Sequence, residues 1–372
     1  MPIVWKKIIL DKMSKKILLI TENLGSGGAE RQICGLAVML TKAGYGCRLI
    51  TYVKNQFYEP YLRDNNVDYE FVPELCSRIY RVIRVARYIN KYNPDIVISY
   101  LPSVNITMCL AKLFIKAKLI VSERNNNIGL TLRDRIQFNL YRLADVIVPN
   151  SNSQGHFISR NFRFLTPKIV PIINFVDVKR FAPVARTEEN DVLSFITVAR
   201  YTSQKNVLSF LDVVKKIKEA RLNVHFDWYG SKVYDKSYYS LVEEKFKMLD
   251  LADYMTLHAP CHEIEKLYQQ SDVMCLPSLY EGYPNVVVEA MSSGLPVICS
   301  DRFENPFIVK DNINGFLFDP EDVDDIFYNI VKIANLSSNE RKQMGVKNRE
   351  ACLGRNSEET FIQAYINLIE NL

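Results

Sequence analysis

The chain is predicted to be an α/β protein built from two doubly wound, Rossmann-like domains. Three observations carry that expectation. Short, almost wholly apolar runs alternate with helical stretches along the whole sequence, the pattern of parallel strands buried on both faces. A glycine-rich turn, Gly25-Ser26-Gly27-Gly28, follows the first run and opens a helix. The length of 372 residues fits two domains at roughly 150 residues each.

The first strand is expected at 16–21, and the glycine turn after it leads into a helix ending near residue 43. Further strands are expected at 48–53, 69–72, 95–99, 118–122, 145–149 and 168–172 in the first half. The second half repeats the grammar at 193–199, 224–229, 255–258, 273–276, 296–300 and 315–318. Helical segments separate most of these runs, so each sheet should be parallel. A weak internal echo supports duplication: Ala144-Asp145-Val146-Ile147-Val148-Pro149-Asn150-Ser151 resembles Ser271-Asp272-Val273-Met274-Cys275-Leu276-Pro277-Ser278. The polar stretch 182–191 is the natural linker. Domains are therefore expected at 1–181 and 192–355, followed by a C-terminal helix, 356–372, with Phe361, Ala364, Tyr365, Leu368 and Ile369 at helical spacing.

Composition excludes several classes. Hydrophobic residues at 48% and charged residues at 24% match soluble globular averages, and 14 Gly with 15 Pro rule out a collagen-like or low-complexity chain. No apolar run approaches the roughly 20 residues that span a bilayer, and lysines interrupt the N-terminal stretch, so neither a membrane span nor a signal peptide is expected. The eight cysteines are scattered with no C-x-x-C pair, which suggests free thiols in a reducing cytoplasm. His258, Cys261, His262 and Glu263 superficially resemble metal ligands, but they follow one strand before Pro260, and a surface turn is the expectation. Met13-Ser14-Lys15-Lys16 looks like an ordinary protein start; residues 1–12, with Trp5 beside Lys6 and Lys7, would otherwise add a small membrane contact.

The net charge of +5 hides an asymmetry. Residues 1–180 hold 27 Lys and Arg against 13 Asp and Glu, whereas residues 181–372 hold 20 against 29. A basic first half suggests an anionic partner. Arg78, Arg81, Arg84 and Arg87, followed by Lys91, flank an apolar stripe at helical spacing, as in a helix that docks on anionic headgroups. The aromatic and basic run 156–164 points the same way. Nucleic acid is not the expected partner, because zinc-finger, basic-zipper and RNP-like signatures are absent from the sequence.

The most specific chemistry lies in the second half. Arg200 and Lys205 follow the strand 193–199, where two fixed cations could hold a diphosphate. Glu281 and Glu289 follow the strand 273–276, with Gly282 and Pro284 in the turn and a helix starting near Asn285. That helix start offers free N–H groups to phosphate oxygens, and the carboxylate pair can hydrogen-bond hydroxyls on two parts of one ligand. Taken singly, Glu281 is a helix-start charge and Glu289 a surface residue. In open α/β sheets ligands bind beyond the carboxyl ends of the strands, so these motifs should line a cleft.

These residues resemble the retaining glycosyltransferases of family four, which have the GT-B fold of two Rossmann-like domains. Glu281 to Glu289 resembles that family's E-x7-E motif, and Ala199-Arg200 with Lys205-Asn206 resembles its phosphate-binding pair. Gly27-Gly28-Ala29-Glu30-Arg31 resembles its first-domain glycine loop, Asn174-Phe175-Val176-Asp177 its N-G-V-D stretch, and Asn314-Gly315-Phe316-Leu317 its N-G-x-L stretch. The resemblance implies that Arg200 and Lys205 neutralise the nucleotide diphosphate and Glu289 binds the ribose. It implies that Glu281 with Gly282, Tyr283, Pro284 and Asn285 meets the donor hexose, and that Gly27 and Gly28 admit diphosphate and acceptor. It also implies that the last helix packs back on the first domain. Two departures stand out. Phe175 replaces a glycine, and Ser122-Glu123-Arg124-Asn125-Asn126 stands where many relatives carry a histidine. Similar segments occur in relatives that build bacterial surface polysaccharides, so Glu123, Arg124 or Asn125 is expected to contact substrate.

The implied reaction moves a hexose or N-acetylhexosamine from a nucleotide diphosphate sugar, a UDP sugar by family weight, to a lipid-linked saccharide, with retention and without a metal or other cofactor. The enzyme would sit on the cytoplasmic face of the membrane and serve capsule, O-antigen or exopolysaccharide assembly. The alternative is a non-hydrolysing nucleotide-sugar 2-epimerase of related fold. Gly25-x-Gly27-Gly28 is not a dinucleotide fingerprint, which disfavours an oxidoreductase.

Overall fold

The computed structural model describes residues 15–77, 80–185 and 191–372. The N-terminal segment, Arg78 and residues 186–190 of the expected linker lie outside the described residues. The chain forms two compact units, Met1–Phe175 with Glu358–Leu372, and Val176–Ser357.

The first unit contains β1 (Lys16–Ile20), α1 (Gly28–Lys42), β2 (Gly46–Thr51), α2 (Glu59–Asp64), β3 (Asp68–Phe71) and α3 (Arg81–Tyr92). It continues through β4 (Ile96–Tyr100), α4 (Pro102–Ala111), β5 (Lys118–Glu123), α5 (Leu132–Leu140), β6 (Val146–Pro149) and α6 (Asn152–Asn161). The sheet order is β3-β2-β1-β4-β5-β6, with every pairing parallel. The central strands β1 and β4 are almost wholly buried, which is why their sequences read as continuous apolar runs rather than alternating ones. The expected strand at 168–172 is not one. Pro167 and Pro171 remove two ladder donors, and only Val170 and Ile172 donate back to Ile147 and Pro149 of β6, leaving a single bridge at Ile169.

The second unit contains β7 (Leu193–Val198), α7 (Val207–Glu219), β8 (Val224–Tyr229), α8 (Lys236–Met248), β9 (Met255–His258) and α9 (Ile264–Gln270). There follow β10 (Val273–Leu276), α10 (Asn285–Ser292), β11 (Val297–Ser300), α11 (Asn305–Ile308), β12 (Gly315–Phe318), α12 (Val323–Ala334) and α13 (Ser338–Asn356). Its order is β12-β11-β10-β7-β8-β9, again parallel throughout. Counted from its own first strand, this is the order of the first sheet. Each unit therefore reverses direction beside its first strand, between β1 and β4 or between β7 and β10, and a crevice opens beyond the strand ends at such a point.

The last helix, α14 (Glu358–Glu370), belongs to the first unit. Phe361, Ile362, Tyr365, Ile366 and Ile369 join the core formed by α1 and one face of the sheet. Phe175 belongs to the same cluster, its ring 5.0 Å from that of Phe361. A methyl group on Gly35 would come within 2.2 Å of the Phe175 ring, so the bulky residue at 175 fits only because α1 presents a glycine. Residues 176–185, by contrast, belong to the second unit, and the division falls before the polar stretch that marks the linker in the sequence.

Candidate active site

In the second unit the loops after β7 and β10 are stitched together at the reversal point. Leu279 N–H donates to Gln204 O at 2.9 Å, and Gln204 Nε2 donates to Tyr280 O at 2.9 Å. A short 3-10 turn, Ser203–Lys205, ends at Asn206 in the left-handed conformation, φ 61°. Asn206 tolerates that conformation and fixes it by donating from Nδ2 to Pro320 O at 2.6 Å. The turn directs Lys205 inward, where its ammonium donates to Glu281 Oε1 at 2.5 Å. Both side chains are nearly buried, 11% and 9% exposed. Lys205 and Glu281 are thus paired with each other here. An ammonium has three donors, so two remain for a phosphate oxygen while the carboxylate holds the stem in place. Thr202 Oγ1 and Ser278 Oγ are buried in the same two loops with no hydrogen-bond partner among the described residues.

Arg200 sits half-buried at the end of β7, its guanidinium 4.3 Å from the centre of the Tyr234 ring. Its backbone position depends on close packing at Gly230, where a methyl group would meet Ala199 O at 2.0 Å. Trp228 Nε1 donates to the same carbonyl at 2.8 Å. Tyr234, Gly230, Trp228 and Gln204 were not singled out from the sequence. An aromatic in the polar turn after β8 was the available signal for Tyr234.

Glu289 lies in the second turn of α10 and is 4% exposed, so it is not the surface residue that it would be when taken singly. Gly282 and Asn285 are partly exposed, whereas Pro284 is buried and caps α10. Tyr283 is turned into the unit, and its hydroxyl accepts from Asn356 Nδ2 at 2.5 Å. Burial pushes that hydroxyl's pKa upward. The contact of Tyr283 with a donor sugar is thereby restricted to its backbone.

In the first unit Gly27 caps α1, and Gly27 and Gly28 are exposed. The Glu30 carboxylate folds back to that helix start, 2.2 Å from where a Gly27 methyl would stand. Burial raises its pKa, with the Glu22 charge adding to the effect. A phosphate arriving there would meet a resident carboxylate. Leu101, at the end of β4 across the reversal point, holds φ 78°, a strained backbone for a branched residue.

The Ser122 to Asn126 segment divides sharply. Glu123 is 1% exposed, held by Tyr141 Oη at 2.9 Å, Gln137 Nε2 at 2.9 Å and Asn105 Nδ2 at 3.4 Å. Burial pushes its pKa up to about 7 against those hydrogen bonds. Arg124 is also buried, stacked 3.8 Å from the Tyr100 ring and donating to Asn174 Oδ1 at 2.8 Å and Tyr365 Oη at 3.1 Å. Glu123 and the two terminal nitrogens of Arg124 are engaged inside the unit, whereas Arg124 Nε is buried without a hydrogen-bond partner among the described residues and Asn125 is exposed.

On α3, Arg81 is also spent, donating to Leu75 O and Cys76 O and stacking on Tyr52. Arg84 donates to Glu74 O and remains exposed with Arg87 and Lys91. His258 stacks on Tyr229 and hydrogen-bonds Asp227 at 2.7 Å. Among the described residues no group of three or more His, Cys, Asp or Glu side chains could hold a metal ion. No described helix is long and apolar enough to cross a membrane.

Comparison with known proteins agrees with this architecture. Residues 178–351 match the model of the family described as glycosyl transferases group 1, and residues 26–180 match that of glycosyltransferase family 4. The amylovoran biosynthesis glycosyltransferase AmsD of Erwinia amylovora is 27% identical over 82% of this chain and 86% of its own. A Campylobacter jejuni N-acetylgalactosaminyltransferase, named for an undecaprenol-diphosphate-linked acceptor, is 25% identical over 82% and 85%. An Escherichia coli UDP-Gal:α-D-GlcNAc-diphosphoundecaprenol α-1,3-galactosyltransferase is 30% identical over 45% and 46%. Among solved structures, a Rickettsia africae glycosyltransferase superposes with a TM-score of 0.86 at 19% identity over 97% of this chain and 99% of that one. The Anabaena protein HepE, solved with UDP, gives 0.83 at 16% identity over 96% and 100%. Two matched family models in chain order, and two parallel sheets of the same strand order, place this chain in the family-four glycosyltransferases of GT-B fold.

Proposed function

We propose that this enzyme transfers a hexose or N-acetylhexosamine, with retention and without a metal ion, from a UDP sugar to a saccharide carried on a polyprenyl diphosphate in bacterial surface-polysaccharide assembly. The observation that carries the proposal is the pairing of loops after β7 and β10, which brings Lys205 and Glu281 together at the reversal point of one sheet, with Arg200 on the same loop as Lys205. UDP as the nucleotide draws on the name of the E. coli relative and the ligand of the Anabaena structure. The lipid-linked acceptor draws on the names of the E. coli and Campylobacter relatives.

Cleavage of the anomeric bond places growing negative charge on the leaving phosphate oxygen. Fixed cations that meet this charge stabilise the transition state more than the ground state. Arg200, braced on Tyr234, and Lys205, held by Glu281, are preorganised for that role. Glu281 thereby positions Lys205 and meets the donor hexose, and Glu289 serves the ribose. The leaving phosphate itself takes the acceptor proton from the same face, which preserves the anomeric configuration.

Docking on the inner membrane face belongs to the same proposal. Ile83 with Arg84, Arg87 and Lys91 on α3, Phe114 in the turn after α4, and Leu132 and Ile136 with Arg133 and Arg135 on α5 are all exposed, and α4 packs against both α3 and α5.

Thermal unfolding with UDP, GDP and ADP tests the donor site. We expect UDP to raise the midpoint, and Arg200→Ala, alone or with Lys205→Ala, to abolish that rise. Equal stabilisation of parent and variants, or none by any nucleotide, would defeat the proposal.

A further inference from the structure

Resting on that transferase reading, we infer that the loop after β2 is a saccharide platform, with Phe57 as its stacking surface and Asn55 and Asn23 as its hydroxyl readers. This loop is fastened to the glycine loop at the carboxyl edge of the first sheet. Val53 N–H donates to Glu22 O at 2.9 Å, Leu24 N–H to Asn55 O at 3.0 Å and Tyr58 N–H to Leu24 O at 3.3 Å. A methyl group on Gly25 would lie 2.9 Å from Asn23 Oδ1 and 3.1 Å from Asn55 Nδ2; Asn23 Oδ1 accepts from Gly25 N–H at 2.8 Å, which leaves its amide N–H groups and the Asn55 amide beside the glycine.

Beside them Phe57 is 55% exposed and Tyr61 40% exposed. The rings run in an edge-to-face row, Phe57 to Tyr58 at 5.0 Å and Tyr58 to Tyr61 at 6.4 Å, and Tyr58 packs against the core. The large Phe57 ring, exposed next to side-chain amides at the end of a sheet where ligands bind, calls for an amphipathic occupant. A pyranose ring is one. Its C–H face stacks on an aromatic surface, and its hydroxyls both donate and accept, as an amide does. A phosphate or an anionic lipid surface suits the place less, because Glu22 and the Glu30 carboxylate add negative charge at the same edge.

The test is saturation-transfer NMR on the full chain with the methyl α-glycosides of glucose, galactose, N-acetylglucosamine and N-acetylgalactosamine. Irradiating the aromatic protons should transfer saturation to the ring C–H protons of at least one glycoside. The signal should vanish in Phe57→Ala and weaken in Asn55→Ala, with the UDP-induced rise in midpoint unchanged in both. No transfer to any glycoside, or undiminished transfer in Phe57→Ala, would overturn the platform. So would loss of binding to phosphatidylglycerol vesicles in Phe57→Ala, which would make the ring a membrane contact. A chain that binds a glycoside through Phe57 yet ignores UDP would retain the platform and defeat the transferase reading instead.

Discussion

Lys205 and Glu281 show how one pair serves structure and chemistry together. Removing one member of a buried ion pair strands the other, at about 3–5 kcal/mol. We therefore expect Lys205→Ala and Glu281→Ala each to destabilise the chain by that order in urea unfolding. The double variant Lys205→Met/Glu281→Leu should recover much of the loss while remaining inactive in transfer. Glu123 supplies a different test. Its folded pKa of about 7 lies above the ordinary 4.5, so the folded state holds a proton that the unfolded chain releases. The stabilisation is complete below pH 4.5 and is lost as pH rises through 7, on the order of 3 kcal/mol in all. Urea midpoints at pH 5 and pH 8 should reveal this slope in the parent, and Glu123→Gln should flatten it. Identical slopes would mean that Glu123 does not titrate in this window.

At the scale of elements, most strands were legible because parallel strands covered on both faces must be apolar throughout, and the glycine turn and Pro284 punctuate helix starts. The expected strand at 168–172 failed because its apolar character comes from packing beside β6, while Pro167 before it and Pro171 within it deny it a ladder. Arg200, Lys205, Glu281 and Glu289 could be named from spacing, since the first two lie in the loop after one strand and the others in the loop and helix after another. Spacing could not show that Glu281 would hold Lys205, that Arg124 would turn inward onto Tyr100, or that Tyr283 would bond Asn356. Those outcomes depend on partners distant in the chain. Phe175 illustrates the point: its effect is felt on α1, through Gly35. We expect Phe175→Gly to cost about 3–5 kcal/mol through the cavity that it leaves, measured by urea unfolding. An effect below about 1 kcal/mol would show that α1 and α14 close over the gap.

For the molecule as a whole, α3 and α5 of the basic first half each carry exposed cations beside exposed apolar side chains. We expect cosedimentation with phosphatidylglycerol vesicles that weakens as salt rises, by about 1 kcal/mol for each of Arg84, Arg87 and Lys91 replaced by Gln. Binding equal on neutral vesicles would remove charge as its cause. The return of α14 to the first unit has a consequence for biosynthesis. Because Phe361, Tyr365 and Ile369 complete a core whose other members are made some 200 residues earlier, the first unit cannot close while the ribosome is still translating the second. The second unit, contiguous in sequence, is free to fold as it emerges. The unit made first is thus finished last, and its apolar sheet face stays open to chaperones until α14 has emerged.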